Sequence, residues 1–318
     1  MKPATVRRTD FRYRLGLNLR AVVGRSYPRI IGANREPSWI FFEAFLPLLG
    51  IAAYVFIYQS FGTRTIAAIV ADGGLTQAQR DAAIAGAQLW VNALVATVVL
   101  GGTMVAFWLN VLWSMASQLY WEKEIGNLQL YMMAPMNRMA LLGGMAVGGM
   151  FMTSVRALST LAAGIIVFGV VFQVADPLVL IAVFFVTLVA LYGMGMMFAS
   201  LYLLWGREAW NLSALMEEPI FFSSGMYFPV GGLFKIPGWG PAVALAGSLV
   251  PATLGLDALR QLTLGPASFS AILPLAPVPT ELAILLVLAV VFLVLARYSL
   301  AYLEILAKRE GKLTSRHQ

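Results

Sequence analysis

The stretch "LVLIAVFFVTLVALYGMGMMFASLYLL", residues 178–204, runs for 27 positions without a charged side chain. Coiled into a helix, it rises about 40 Å, more than the roughly 30 Å hydrocarbon core of a bilayer. Five further apolar runs, at 39–61, 88–113, 140–172, 210–229 and 280–305, bring the count to six. The run at 140–172 is longer than a bilayer needs, which predicts a tilt, a kink or a start in the interface. Sixty per cent of the chain is hydrophobic and 12% is charged. An ordinary soluble domain carries about 25% charge. The fold class expected is therefore an all-α membrane protein with six transmembrane helices over 39–307, preceded by a cytoplasmic segment 1–38 and followed by a cytoplasmic tail 308–318.

Orientation follows from Lys and Arg, which gather on the cytoplasmic side. With six spans, 17 of the 22 basic residues fall on one side, including nine before Trp39. Arg64, Arg80, Lys235 and Arg260 fall on the other, and Arg156 lies within a span. Both termini are expected in the cytoplasm, at a plasma (inner) membrane, in a multi-pass protein. The net charge of +7 is accounted for by this bias. Lipid head groups, not nucleic acid, are its expected counter-charge.

Residues 10–27 place Phe11, Leu15, Leu19 and Val22 on one helical face, with Arg14, Arg20 and Arg25 off its centre. This reads as a basic amphipathic helix in the interface, interrupted by Pro28 and Gly32. The first apolar run starts only after 38 residues, without a small-residue cleavage site, and is read as a spanning helix. Thr76 with Gln79 forms a capping box for the next helix. Trp39, Trp90, Trp113, Trp121, Trp205, Trp210 and Trp239 stand near span ends, where tryptophans anchor. Between spans five and six, 230–263 is broken by Pro237, Pro241 and Pro251. The run Ala242 to Val250 is too short to cross, so it reads as a re-entrant helix, with a second at 252–263. Irregular backbone at such depth requires cover by protein or water, so the segment should pack over the outer end of the bundle. Thr280 is expected to cap the last span.

Catalytic chemistry is hard to place in this chain. It has no cysteine and one histidine, His317, which removes thiol chemistry and argues against a zinc site. No phosphate-cradling loop occurs: Gly311-Lys312 is followed by Leu313. No nucleophile elbow or metal-ligand cluster is present in the sequence. Catalytic and metal residues are therefore predicted to be none.

The intramembrane charges are Arg156 near the middle of the third run, Glu217 and Glu218 about ten residues into the fifth, and Glu43 early in the first. An ionisable group in hydrocarbon is expensive unless paired or wetted. Two readings stay open: a structural ion pair of Arg156 with Glu217 or Glu218, Glu43 being a third candidate, or a role in a substrate path or proton relay.

Two motifs bring a family into view. The loop after the second span, "WEKEIGNLQLYMMAPMNR", places Glu122, Glu124, Gly126, Leu128, Leu130 and Pro135 in order. It resembles the coupling region of type-2 ABC transporter permeases. Asn127 and Gln129 depart from the Thr and Glu usual there. The stretch from the fifth span, "FFSSGMYFPVGGL", followed by Pro251, Asp257 and Arg260, resembles that family's second signature through Ser224, Gly225, Phe228 and Pro229. The resemblance covers nearly the whole chain.

It implies a permease subunit of an ATP-driven ABC exporter. Such a subunit is half of a homo- or heterodimer and moves a hydrophobic or amphipathic cargo (drug, antibiotic, lipid or lipid-linked glycan) outward. It further implies that ATP and Mg bind a separate ATPase partner and that this chain holds no cofactor and is not itself an enzyme. A coupling helix at about 120–135 would carry Glu122, Glu124, Gly126, Leu128 and Pro135 to that ATPase. Gly225, Phe228, Pro229, Pro251, Asp257 and Arg260 would belong to the outer gate. The competing expectations are an ion- or proton-coupled secondary transporter using Arg156 and Glu217 or Glu218, and an intramembrane lipid-modifying enzyme.

Overall fold

The structure, a computed structural model, describes residues 11–34, 37–205 and 208–309. Expectations for 1–10, 35, 36, 206, 207 and 310–318, and for the side chains of Trp39 and Glu43, lie outside the described residues. The chain is 85% helix, and no strand occurs among the described residues. Its helices are α1 (Phe11–Asn34), α2 (Pro37–Ala71), α3 (Gln77–Leu109), α4 (Gln118–Glu124), α5 (Asn127–Met133), α6 (Arg138–Ile166), α7 (Pro177–Trp205), α8 (Ala209–Ser223), α9 (Gly240–Ser248), α10 (Pro251–Leu264), α11 (Phe269–Ile272) and α12 (Val278–Arg309).

Four of the described helical runs are long and apolar enough to cross a membrane: Gln77–Glu124, Arg138–Ile166, Pro177–Tyr202 and Val278–Leu306. The pair α9 and α10, bent by 95° at a short break, makes a fifth if it is one broken span. Exposed side chains match a bilayer setting. On α7, Leu178, Ile181 and Phe185 face outward, and on α12 so do Val287, Val290 and Val294. Contiguous apolar surface of this kind is foreign to a protein bathed in water on all sides.

Local chemistry sets the helix ends. Thr76 accepts from Gln79 N and the Gln79 side chain accepts from Thr76 N, the capping box expected from sequence. Asn137 caps α6 by accepting from Met139 N at 2.9 Å. The third apolar run ends as helix at Ile166. The chain then turns back in extended form, and Gln173 N and Ala175 N donate to the carbonyls of Thr263 and Leu262. Its excess length is thus spent on a return segment laid against the end of α10.

Other expectations are corrected. Pro28 does not interrupt α1, which continues to Asn34. The fifth apolar run, 210–229, is helical only over the 15 residues of α8, about 22 Å at 1.5 Å per residue. Thr280 does not cap the last helix; α12 begins at Val278, and Thr280 N already donates to Pro277 O. The proline-broken segment forms the two short helices foreseen, but unequally covered. Every residue of α10 is buried, against α3, α7 and α12, whereas α9 leaves Leu245 63% exposed.

The core has two parts. The larger gathers Trp108, Leu112, Leu142, Tyr192, Leu254 and Leu285 from α3, α6, α7, α10 and α12. The smaller joins Ile51, Val55, Val95, Val99 and Ile272 around α2, α3 and α11. α7 and α12 pack along each other, α2 lies against α3 and α6, and α1 lies along α6.

Candidate functional site

Side-chain chemistry concentrates at two places. The first is where α1 meets the far end of α3. Helix α3 does not stop at Leu109. It passes through a π-helical turn, Asn110–Met115, and leads into α4, an apolar helical run of 48 residues in all. At 1.5 Å per residue that run is about 72 Å long, over twice the hydrocarbon thickness. The expected single coupling helix is two helices. Chain direction changes at Gly126, whose φ of 85° lies in the left-handed region that glycine adopts without a Cβ penalty. Leu128 is buried beneath α5, while Leu130 is exposed. Pro135 lies in the bend that leads to α6.

The acidic pair of the loop is not a matched pair. Glu122 is 4% exposed and accepts a hydrogen bond from Arg25 Nη2 of α1, with which it forms an ion pair. The same Nη2 donates to Gln118 Oε1 at 2.9 Å. The Arg25 guanidinium also stands 6.0 Å from the Tyr131 ring centroid. Burial raises the Tyr131 phenol above its ordinary range, and Arg25 opposes that rise. Glu122 therefore holds α1 to α4; Glu124, two positions on, is the more open of the two. A second ion pair, Arg138 Nη1 to Glu304 Oε2 at 2.8 Å, ties the start of α6 to the end of α12.

Beside this junction lies a cavity of about 440 Å³, lined among others by Arg29, Asn110, Trp113, Ser114, Thr153 and Arg156. Arg29 Nη2 donates to Ser114 Oγ, and Tyr192 Oη donates to Asn110 Oδ1 at 2.9 Å. Burial lowers the Arg29 pKa from its ordinary value. Of the partners expected for Arg156, Glu43 lies outside the described side chains. Among the described residues, no ion pair joins Arg156 to Glu217 or Glu218. Glu217 Oε2 instead accepts from Trp113 Nε1 at 2.8 Å, and Glu218 is exposed. Glu217 is thus held by an indole of the cavity wall.

The second place is the segment that follows α8. Gly225 turns the chain after α8 with φ 64°. Carbonyls of the turn after α8, with one from α3, converge on Arg260, which is 1% exposed. Arg260 Nη2 donates to Gly225 O at 2.8 Å, Thr97 O at 3.1 Å and Met226 O at 3.3 Å, and Nη1 to Phe228 O at 3.4 Å. Its charge is met by carbonyl dipoles, and it forms no ion pair among the described residues. Pro229 precedes a 3₁₀ turn, and Pro251 opens α10, where its missing N–H costs nothing. Asp257 Oδ2 accepts from Leu275 N at 2.9 Å and Gln261 Nε2 at 3.1 Å, and Gln261 Nε2 also donates to Glu281 Oε2 at 3.1 Å. Six of the residues expected at the outer end are thus brought to one buried region, where they hold irregular backbone in place.

Arg29, Asn110, Ser114 and Glu281 were not foreseen. A π turn leaves no mark in hydrophobic periodicity, so Asn110 and Ser114 carried no signal. Glu281, in the first turn of α12, was legible as an acidic helix start and not as a buried partner. No family model matches the chain, and no curated protein matches it.

Proposed function

We propose that this chain is the membrane-embedded subunit of an ATP-driven ABC exporter, with hydrolysis on a separate ATPase. In this reading α2, α3, α6, α7, α8 and α12 are the six spans, both termini are cytoplasmic, and α9 with α10 is the re-entrant outer segment. One observation carries the reading: a continuous 48-residue helical run ends in the α4–Gly126–α5 elbow, and Arg25 clamps that elbow to α1. A push on the elbow reaches the bundle through a stiff rod and through α1 together. A partner can shift a conformational equilibrium only through contacts that differ between its two states, and such an elbow supplies contacts of that kind.

On α1, Phe11, Leu15 and Leu19 are all exposed, at the i, i+4, i+8 spacing of one stripe. That stripe suits a helix lying in the cytoplasmic interface. The cargo is hydrophobic or amphipathic, and a second permease subunit completes the path.

Purified chain reconstituted in vesicles tests the proposal. It should transport nothing on its own, and imposing a proton or sodium gradient should change nothing. An ATPase subunit encoded beside it should co-purify and hydrolyse ATP faster in its presence. Gradient-driven flux without any ATPase would overturn the reading.

A further inference from the structure

The cavity beside the α1–α4 junction has a composition that the exporter reading does not use. Two guanidinium groups line it, Arg29 from α1 and Arg156 from α6. No carboxylate is among the described residues that line it. Its polar groups present donors. Arg29 Nη1 has no hydrogen-bond partner among the described residues. Ser114 Oγ accepts from Arg29 and so keeps its own proton to give. Asn110 Oδ1 is taken by Tyr192, which leaves its NH₂ as the available end.

The wall that supplies Asn110, Trp113 and Ser114 is the π-helical turn of α3, the one place where that long run departs from α geometry. Such turns cost helix stability and recur where a helix is shaped around a site. The remaining wall is α6, which lies so near α1 that Arg29 Cδ is 3.1 Å from the Cβ position of Gly148. Arg29 is thereby held with its head group at the cavity.

From this geometry we infer that the cavity is a binding site for a phosphate group, held by Arg29 and Arg156 and by the donors of the π turn. Planar guanidinium forks match phosphate oxygens in pairs. A volume of about 440 Å³ accommodates a phosphate with an attached polar fragment but not a large cargo. An amphiphile whose phosphate sits here can leave its apolar part among the side chains at the cavity edge, such as Leu109 and Met152. Both a phospholipid head group and a soluble phosphate offer this chemistry. The site does not depend on an ATPase partner, so it stands or falls separately from the exporter reading.

The experiment uses the full chain in lipid nanodiscs without any partner. In the first arm, spin-labelled phosphatidylglycerol and a spin-labelled diacylglycerol, which has no phosphate, are compared by electron paramagnetic resonance for an immobilised component. In the second, inorganic phosphate is titrated against the protein in nanodiscs of a phosphate-free galactolipid, with thermal unfolding as the readout. Immobilisation selective for the anionic lipid, or saturable stabilisation by phosphate, supports the site and names its source. Arg156→Gln should weaken the positive arm on the order of tenfold, the loss expected for a charge-assisted hydrogen bond. Ser114→Asp keeps the fold by offering Arg29 an internal carboxylate. It should raise the unfolding temperature in the absence of phosphate and abolish the positive arm. No selectivity in the first arm together with no stabilisation in the second overturns the inference. So does binding that survives both Arg156→Gln and Ser114→Asp unchanged.

Discussion

Arg25 on α1 and Glu122 on α4, 97 residues apart in the chain, form an ion pair whose carboxylate is nearly sealed from solvent. The pair makes α1 and the elbow one mechanical unit. It also separates two acidic residues that look alike in sequence, since Glu122 faces inward and Glu124, two positions on, is more open.

Removing one partner of a sealed pair is costlier than removing both. Glu122→Ala should lower stability by about 3 kcal/mol, because Arg25 keeps its charge without its carboxylate. Exchanging the two, Arg25→Glu with Glu122→Arg, should recover at least part of that loss. Thermal unfolding in detergent, followed by size-exclusion chromatography, measures both. An unfolding temperature for Glu122→Ala equal to that of the unaltered chain would mean the pair holds nothing together.

Gly101 on α3 tests how tightly the turn after α8 is seated. A Cβ there would lie 1.4 Å from the carbonyl oxygen of Met226, which is backbone and cannot rotate away. Gly101→Ala should therefore sharply reduce folded protein, a cost of several kcal/mol by overpacking. Gly143→Ala, on α6, meets nothing closer than 3.8 Å and should be neutral or slightly stabilising. Comparing monodisperse yields of the two variants decides the point. Equal yields would show that the α3 contact with the turn after α8 is loose.

Much of this fold was legible because long apolar runs have few alternatives. The helices from 138, 177 and 278, the capping box at Thr76 and the two short helices near Pro251 all follow from length, caps and proline positions. What periodicity cannot carry is partner choice. Arg156 and Glu217 share a depth along their helices, but depth leaves rotation about the axis undetermined, and Trp113 took Glu217. The burial of Glu122 was equally hidden, since it depends on Arg25, 97 residues away in the chain. The extent of the fifth run failed for another reason: an apolar sequence continues past Ser223, but Gly225 with its positive φ ends the helix.

Accessibility offers an independent check, because the chain has no cysteine of its own. Leu256 on α10 is fully buried, whereas Gln79, in the first turn of α3, is exposed. Leu256→Cys should stay unmodified by an impermeant maleimide until the protein is denatured. Gln79→Cys should react in intact cells, if the turn before α3 lies outside as the charge bias requires. Modification of Gln79→Cys only after permeabilisation would invert the orientation. Ready modification of Leu256→Cys would show that α10 is not packed within the bundle.

Arg260 carries the sharpest expectation. Its guanidinium collects four carbonyls, three from the turn after α8 (Gly225, Met226 and Phe228) and one, Thr97, from α3. Arg260→Met keeps the length and apolar stem but strands the turn carbonyls of Gly225, Met226 and Phe228, at about 1–3 kcal/mol for each left unsatisfied. Folding should fail or fall to a small fraction. Arg260→Lys retains the charge with one compact head in place of a planar fork, so it can serve the nearest carbonyls, Gly225 and Thr97, but not all four. It should fold, with a lowered unfolding temperature and faster amide exchange at 225–228. Full stability of Arg260→Met would mean that water, not Arg260, satisfies this turn. An Arg260→Lys variant as unstable as Arg260→Met would make the fork geometry, and not the charge, the whole of its contribution.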